Sequence, residues 1–247
     1  MPPVGALVLL APGTLVTSRA ADREEDVVEG TATRDRAVVP RPGRCLVLAS
    51  ASALVIATTL WLALQPGSAE AQTGFITWIN DPPRALGAVL GATNALLRPV
   101  PLAVVALALF GWIMATVHGS SRWEVLRAMV IGFVVAEAIT QTLKRLADQP
   151  RPTASIPGLD VHGYPKDPYG TAYPSAHTSV AVALVAALWP WLNVPQRVVG
   201  VAIAALVALN RLYIGAHWPV DVIGGAAIGV LAGTVCWLVA ARWPIRS

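Results

Sequence analysis

The chain is written as long apolar blocks separated by short polar joints. The blocks run Cys45 to Gln65, Val100 to Val117, Trp123 to Leu143, Ser175 to Trp191, Gln196 to Ile214 and Val220 to Ala241. Each is near the roughly 20 residues that a helix needs to cross the hydrocarbon core of a bilayer. The pattern therefore predicts an all-α protein built as a six-transmembrane-helix bundle. The stretch from Pro66 to Pro99 is weaker: the Pro82-Pro83 pair and the polar Thr93 and Asn94 argue against a span. Moderate amphipathic character over Ala85 to Leu97 instead predicts a helix lying at the outer interface.

Composition sharpens the class. Of 247 residues 55% are hydrophobic and 13% charged, with a mean hydropathy of +0.60, which is too apolar for an ordinary soluble domain. A net charge of +4 and a pI near 9.5 would suit nucleic acid. The arginines, however, flank apolar segments and form no basic stripe with aromatics, so nucleic acid is excluded as a partner. In residues 1–44 the apolar run Gly5 to Leu10 is too short to span, is preceded by no positive residue and is broken by Pro12. Acidic and Arg-rich sequence follows, and a disordered cytoplasmic tail is predicted rather than a signal peptide, with 45–247 as the membrane-embedded domain.

Charge asymmetry sets an orientation. With both termini cytoplasmic, Arg34, Arg36, Arg41, Arg44, Arg122, Arg127, Arg197, Arg242 and Arg246 all fall inside. The joint from 145 to 173 and the one around His217 then face outward. Cys45 and Cys236 lie in or at the inner ends of apolar segments with no Cys-x-x-Cys pair, so neither a disulfide framework nor a metal site is predicted.

Candidate chemistry collects between Lys144 and Asp221. Lys144 closes an apolar helix, and seven residues on come Arg151-Pro152. Pro174-Ser175-Ala176-His177 opens the next apolar segment after a long loop punctuated by Pro150, Pro152, Pro157, Pro165 and Pro168. Asn210-Arg211 is followed by His217 and, four residues later, by Asp221. Taken singly, each residue has a bland reading: Lys144 and Arg211 as interface anchors, Pro174 and Pro219 as first-turn prolines, Asp221 as a carboxylate at a helix N-terminus. Together, three cations suit a tetrahedral oxyanion, while two imidazoles and a carboxylate suit covalent transfer with proton management. Uncapped N–H groups at a helix start near Ser175 would add an anion site. Asp221 can accept from one ring nitrogen of His217 and leave the other free to attack. Arg145, Asp160, His162, Lys166 and Asp167 share the long loop and are read as rim residues. Glu137, two turns before Lys144, is read as capping a polar contact between helices.

This ordered set resembles the type 2 phosphatidate phosphatase superfamily, whose signature is Lys-x6-Arg-Pro, Pro-Ser-Gly-His and Ser-Arg-x5-His-x3-Asp. Every spacing matches, with Ala176 where Gly is usual and Asn210 where Ser is usual. Ala176 keeps the N–H that Gly offers, whereas Asn210 puts an amide on a longer arm in place of a hydroxyl. The resemblance implies phosphate binding by Lys144, Arg151, Ser175, Ala176 and Arg211, with His177 as general acid, His217 as nucleophile and Asp221 as its orienting partner. It also implies a metal-independent hydrolase with no cofactor, acting through a phosphohistidine on a lipid phosphate: an isoprenyl diphosphate, phosphatidate or phosphatidylglycerol phosphate. The location implied is the plasma membrane, multi-pass, among membrane lipids and with an extracytoplasmic site. Two rivals stand beside this: phosphotransfer to an alcohol, and a phosphate-binding membrane module or transporter, for which only mid-span Glu137 speaks.

Overall fold

The computed structural model describes residues 40–97, 111, 121–159 and 170–242. The chain divides into Met1–Arg36 and Ala37–Ser247, and the described residues belong to the second unit. The tail up to residue 39, the segment expected at Val100 to Val117 (Gly111 apart) and the rim residues Asp160, His162, Lys166 and Asp167 lie outside the described residues.

The described elements are helices: α1 (Pro42–Ala63), α2 (Ser68–Asn80), α3 (Arg84–Leu96), α4 (Ser121–Ala147), the short α5 (Pro152–Ser155), α6 (Ala176–Leu188), α7 (Val194–Tyr213) and α8 (Pro219–Arg242). An isolated bridge between Pro150 and Thr171 is the only extended pairing among the described residues. Among the described residues, four helices are long and apolar enough to cross a membrane: Pro42–Ala63, Arg122–Ala147, Val194–Tyr213 and Pro219–Ala240. The span expected at Ser175 to Trp191 falls short. α6 has 13 residues, about 20 Å of helix at 1.5 Å per residue, and continues only as a 3-10 turn, Trp189–Trp191.

Local chemistry sets several boundaries. α7 starts two residues earlier than its apolar run because Asn193 and Gln196 form a capping box, with the Gln196 N–H donating to Asn193 Oδ1 at 3.0 Å and the Asn193 N–H donating to Gln196 Oε1 at 2.9 Å. α1 likewise begins at Pro42 rather than Cys45, since a proline is preformed for a first turn. The stretch 66–99 holds two helices where one was expected, broken at Asp81-Pro82-Pro83. Leu90 and Asn94 of α3 are buried, and the Asn94 side chain reaches α7.

α8 is the central helix: 56% of its spanning window is buried, against 22 to 28% for the other three. It packs tightly on α6 because its facing positions carry no side chain. A Cβ at Gly225 would lie 2.6 Å from the Ser175 carbonyl oxygen, and one at Gly229 would lie 2.6 Å from Val182 Cβ and 2.7 Å from the Ser179 oxygen. Small residues at such crossings let two backbones approach where apolar burial alone gives little drive. Ala136 of α4, Ala183 of α6 and Ile228 and Ala232 of α8 fill the shared core. A hydrogen bond from Thr140 Oγ1 to Ser179 Oγ, 3.1 Å, joins α4 to α6 inside it. The outward faces are apolar instead: Leu46, Val47, Leu54 and Trp61 of α1 and Val198, Val201 and Ile203 of α7 are exposed, the surface expected of a protein solvated by lipid.

Candidate active site

The site forms where α4, α6, α7 and α8 meet their connecting loops. Lys144 lies in the last turn of α4, and its Nζ donates to the Thr171 carbonyl at 3.0 Å. Just beyond, the Ala172 N–H donates to the Gln149 carbonyl at 2.7 Å, beside the Pro150–Thr171 bridge. These contacts stitch the Lys-Arg-Pro segment to the chain entering Pro174-Ser175. Arg151 is the N-cap of α5, and its guanidinium passes beside Gly170, 3.6 Å from where a Cβ would stand. The third segment joins through Trp218, whose indole N–H donates to the Pro150 carbonyl at 2.9 Å, and through Gly215, whose carbonyl accepts the Thr153 N–H at 3.2 Å.

Ser175 is the N-cap of α6 yet does not cap it: its hydroxyl pairs with the Thr178 hydroxyl at 3.0 Å. The first-turn N–H groups beside Ala176 and His177 thus have no side-chain acceptor from the N-cap, and they form the positive end of a helix dipole. Ser175 is fixed from below, its N–H donating to the Asp221 carbonyl at 3.1 Å. Tyr173 anchors the approach, bonding Thr59 Oγ1 at 2.9 Å and the Ile56 carbonyl at 3.1 Å on α1.

Arg211, in the last turn of α7, is only 1% exposed. Its Nη2 donates to Asn94 Oδ1 of α3 at 3.0 Å and to Asn210 Oδ1. Its Nε is buried with no protein partner. Among the described residues it has no carboxylate, so a buried positive charge is held by neutral amides alone. Asn210, at the position where the related signature carries Ser, uses both amide atoms inside the protein, its Nδ2 donating to the Leu90 carbonyl at 2.7 Å.

His217 and Asp221 flank the start of α8. Pro219 takes the first helical position, and Asp221 Oδ2 accepts the Trp218 N–H at 2.7 Å, half of a capping box that fixes the carboxylate. His217 Nδ1 stands 3.5 Å from the same oxygen. That is ion-pair range but long for a hydrogen bond, and Asp221 Oδ1 is buried without a partner. Burial, and then the charges of Lys144, Arg151, Arg211 and His177, hold the His217 imidazole well below its ordinary value of 6.5. The same list of charges places all three segments within electrostatic reach of one ring. A neutral imidazole with a free nitrogen, set among cations and uncapped N–H groups, can attack an electrophilic anion.

Several contributors carry no signal in the apolar pattern. Asn94 reads there as polarity against a span, and it is the acceptor for Arg211. Gln72 Oε1 accepts the Val220 N–H at 3.0 Å, satisfying the first turn of α8 from α2. Gln149 is buried with neither amide atom partnered, next to the Pro150-Arg151 step. Glu137 accepts from Gln141 of its own helix at 3.0 Å, a contact within α4.

Residues 125–244 match the family model described as the PAP2 superfamily. The chain is 30% identical over 126 residues to an undecaprenyl-diphosphatase of Sulfolobus acidocaldarius, a match covering 48% of this chain and 57% of that relative. It is 30% identical over 159 residues to a decaprenylphosphoryl-5-phosphoribose phosphatase of Mycolicibacterium smegmatis, covering 60% of this chain and 84% of that one. The fold is similar to the crystal structure of a transmembrane PAP2-type phosphatidylglycerolphosphate phosphatase from Bacillus subtilis, with a TM-score of 0.59 at 17% identity over 79% of this chain and 98% of that chain.

Proposed function

The chain is a member of the PAP2 superfamily, and from that premise we propose that it is a membrane lipid phosphatase acting on a polyisoprenyl or glycerolipid phosphate. The observation that carries the reading is Arg211, a buried guanidinium without a carboxylate among the described residues, near a neutral His217 backed by Asp221. A cation held by neutral groups in a low-dielectric site is completed by an anion. The names of the relatives, an undecaprenyl-diphosphatase and a decaprenylphosphoryl-5-phosphoribose phosphatase, support a substrate with a long isoprenyl chain.

In the proposed chemistry Lys144, Arg151, Arg211 and the α6 N-terminus take the phosphoryl oxygens, Ser175 and Ala176 contributing from the helix start. His217 Nε2 attacks phosphorus while the bond to the leaving oxygen breaks. His177 gives that oxygen its proton. Asp221 accepts from Nδ1–H, which selects the reactive tautomer and steadies the imidazolium character of the phosphohistidine. Water then attacks phosphorus, the N–P bond breaks back to His217, and His177 removes the water's proton.

The rest of the reading concerns placement. The segment Val100 to Val117 and α6 complete six crossings, α3 lies against the outer interface, residues 1–44 form a cytoplasmic tail, and the site opens on the outer face of the plasma membrane. The arginine asymmetry supports this orientation. Cysteine at Ala154, in a background lacking Cys45 and Cys236, should then label with an impermeant thiol reagent in intact cells; cysteine at Val194 should not. The activity itself is tested by phosphate release from purified protein in detergent across undecaprenyl diphosphate, phosphatidate and phosphatidylglycerol phosphate. Turnover on at least one supports a hydrolase; binding without release would make the protein a phosphate-binding module.

A further inference from the structure

We propose that α3 is the positioning element of the phosphate site, and that Asn94, with Asn210, holds Arg211 with its Nε–H left for the substrate. The inference rests on the phosphatase reading and deepens it.

Three observations carry it. First, the contacts are specific: Asn94 Oδ1 and Asn210 Oδ1 both accept from Nη2 of Arg211, while Nε is buried and has no protein acceptor. A planar guanidinium gripped at one nitrogen by two acceptors has its plane and rotation set, and its Nε–H is left for an anion's oxygen. Second, both acceptors are amides. A carboxylate at either place would fix the side chain equally well but would cancel its charge; a neutral oxygen orients without neutralising. Third, the grip is tied to α3 twice, because Asn210 Nδ2 donates to the Leu90 carbonyl and Leu90 and Asn94 are one turn apart on the same face. Asn210 therefore serves as a clip between α3 and Arg211. Asn94 is buried at 3% exposure, in a helix whose other face carries exposed Val89 and Leu96, so this asparagine is spent inward while α3 remains apolar outside.

The consequence is a division of labour within this chain. In the related signature the residue before the arginine is usually a serine; here that place supplies a positioning amide, and phosphate affinity depends on a helix that lies outside the three motif segments.

The test compares Asn94→Ala and Asn94→Asp with the parent, as purified full-length protein. The readings are kcat and KM on the best lipid phosphate, the Ki of inorganic phosphate, and the phosphate-dependent rise in Tm. For Asn94→Ala we expect Ki for phosphate to rise at least tenfold and kcat/KM to fall by a similar factor. Asn94→Asp should part stability from affinity: its carboxylate pairs with Arg211, so Tm holds or rises while Ki for phosphate rises at least as much. In an Arg211→Ala background, Asn94→Ala should change neither Ki for phosphate nor kcat/KM further, since residues acting through one another are not additive. If Asn94→Ala lowers Tm yet leaves Ki and kcat/KM unchanged, or its effect adds in full to that of Arg211→Ala, the positioning role is overturned. A parent that releases no phosphate from any lipid sinks the phosphatase reading alone, because the phosphate-dependent Tm shift still tests the Asn94 grip.

Discussion

The Nδ1 of His217 and the Oδ2 of Asp221 stand 3.5 Å apart, with that oxygen already taken by the Trp218 N–H at 2.7 Å. The pair is assembled but not closed. Catalytic hydrogen bonds of unliganded sites are often long and tighten in the substrate complex, and a shift of about half an ångström would close this one. Until then burial and four neighbouring cationic or ionisable groups keep His217 neutral.

A pH dependence of stability follows. The folded-state value of His217 lies well below the unfolded value of 6.5, so beneath about pH 6.5 the unfolded chain binds a proton that the folded chain refuses. Stability should be independent of this group above about pH 6.5 and fall as pH drops below it, down to the folded value. His217→Asn should flatten the decline of Tm between about pH 6.5 and pH 5 relative to the parent. Parallel curves would mean that His217 titrates normally.

The α6–α8 crossing gives a steric prediction. Gly229→Ala places a methyl 2.7 Å from the Ser179 oxygen and 2.6 Å from Val182 Cβ, both on α6, so the two helices must separate. Overpacking of this kind costs about 1 to 3 kcal/mol. Gly225→Ala meets the Ser175 carbonyl oxygen at 2.6 Å, beside the phosphate-binding turn, and should cost activity beyond its loss of Tm. Equal specific activity in the two variants would detach the crossing from the site.

What the sequence made legible follows from which interactions are local. The apolar blocks marked α1, α4, α7 and α8 because a bilayer-crossing helix is specified by its own residues. The three motif segments were readable because His217 and Asp221 are i and i+4, and Ser175, Ala176 and His177 are consecutive. The partners of Arg211 and α8 were not: Asn94 is 117 residues from Arg211 and Gln72 is 148 from Val220, with no spacing rule to link them. α2 carries little signal of its own, since Ser68 to Asn80 is polar enough to read as a joint and its buried Ile76 and Ile79 are too few to mark a face.

Asn210→Ser restores the residue more usual in the signature, and the geometry predicts that it does harm. A serine hydroxyl is too short to reach both Leu90 and Arg211, so two hydrogen bonds are lost at about 0.5 to 1.5 kcal/mol each. Tm should fall and Ki for phosphate should rise. A variant with tighter phosphate binding would show that position 210 faces the substrate.

Divalent ions should be dispensable. Lys144, Arg151 and Arg211 supply the positive charge that a metal would otherwise bring to a phosphoryl group, and Asp221, the carboxylate beside His217, is engaged by the Trp218 N–H. Activity should survive EDTA unchanged. Loss on chelation with recovery on adding a divalent ion would refute the proposed mechanism.

The most direct measurement traps the covalent intermediate and separates the two histidines. With p-nitrophenyl phosphate the leaving group needs little help, so His177→Ala should complete the first step and lack the base for the second. Phosphate should then accumulate on His217, acid-labile and base-stable, and be found by rapid quench and mass spectrometry on the peptide carrying that residue. His217→Ala should neither label nor turn over. Label in His217→Ala but not in His177→Ala would reverse the assigned roles, and a parent and variants that never label would contradict the phosphohistidine route in favour of direct attack by water.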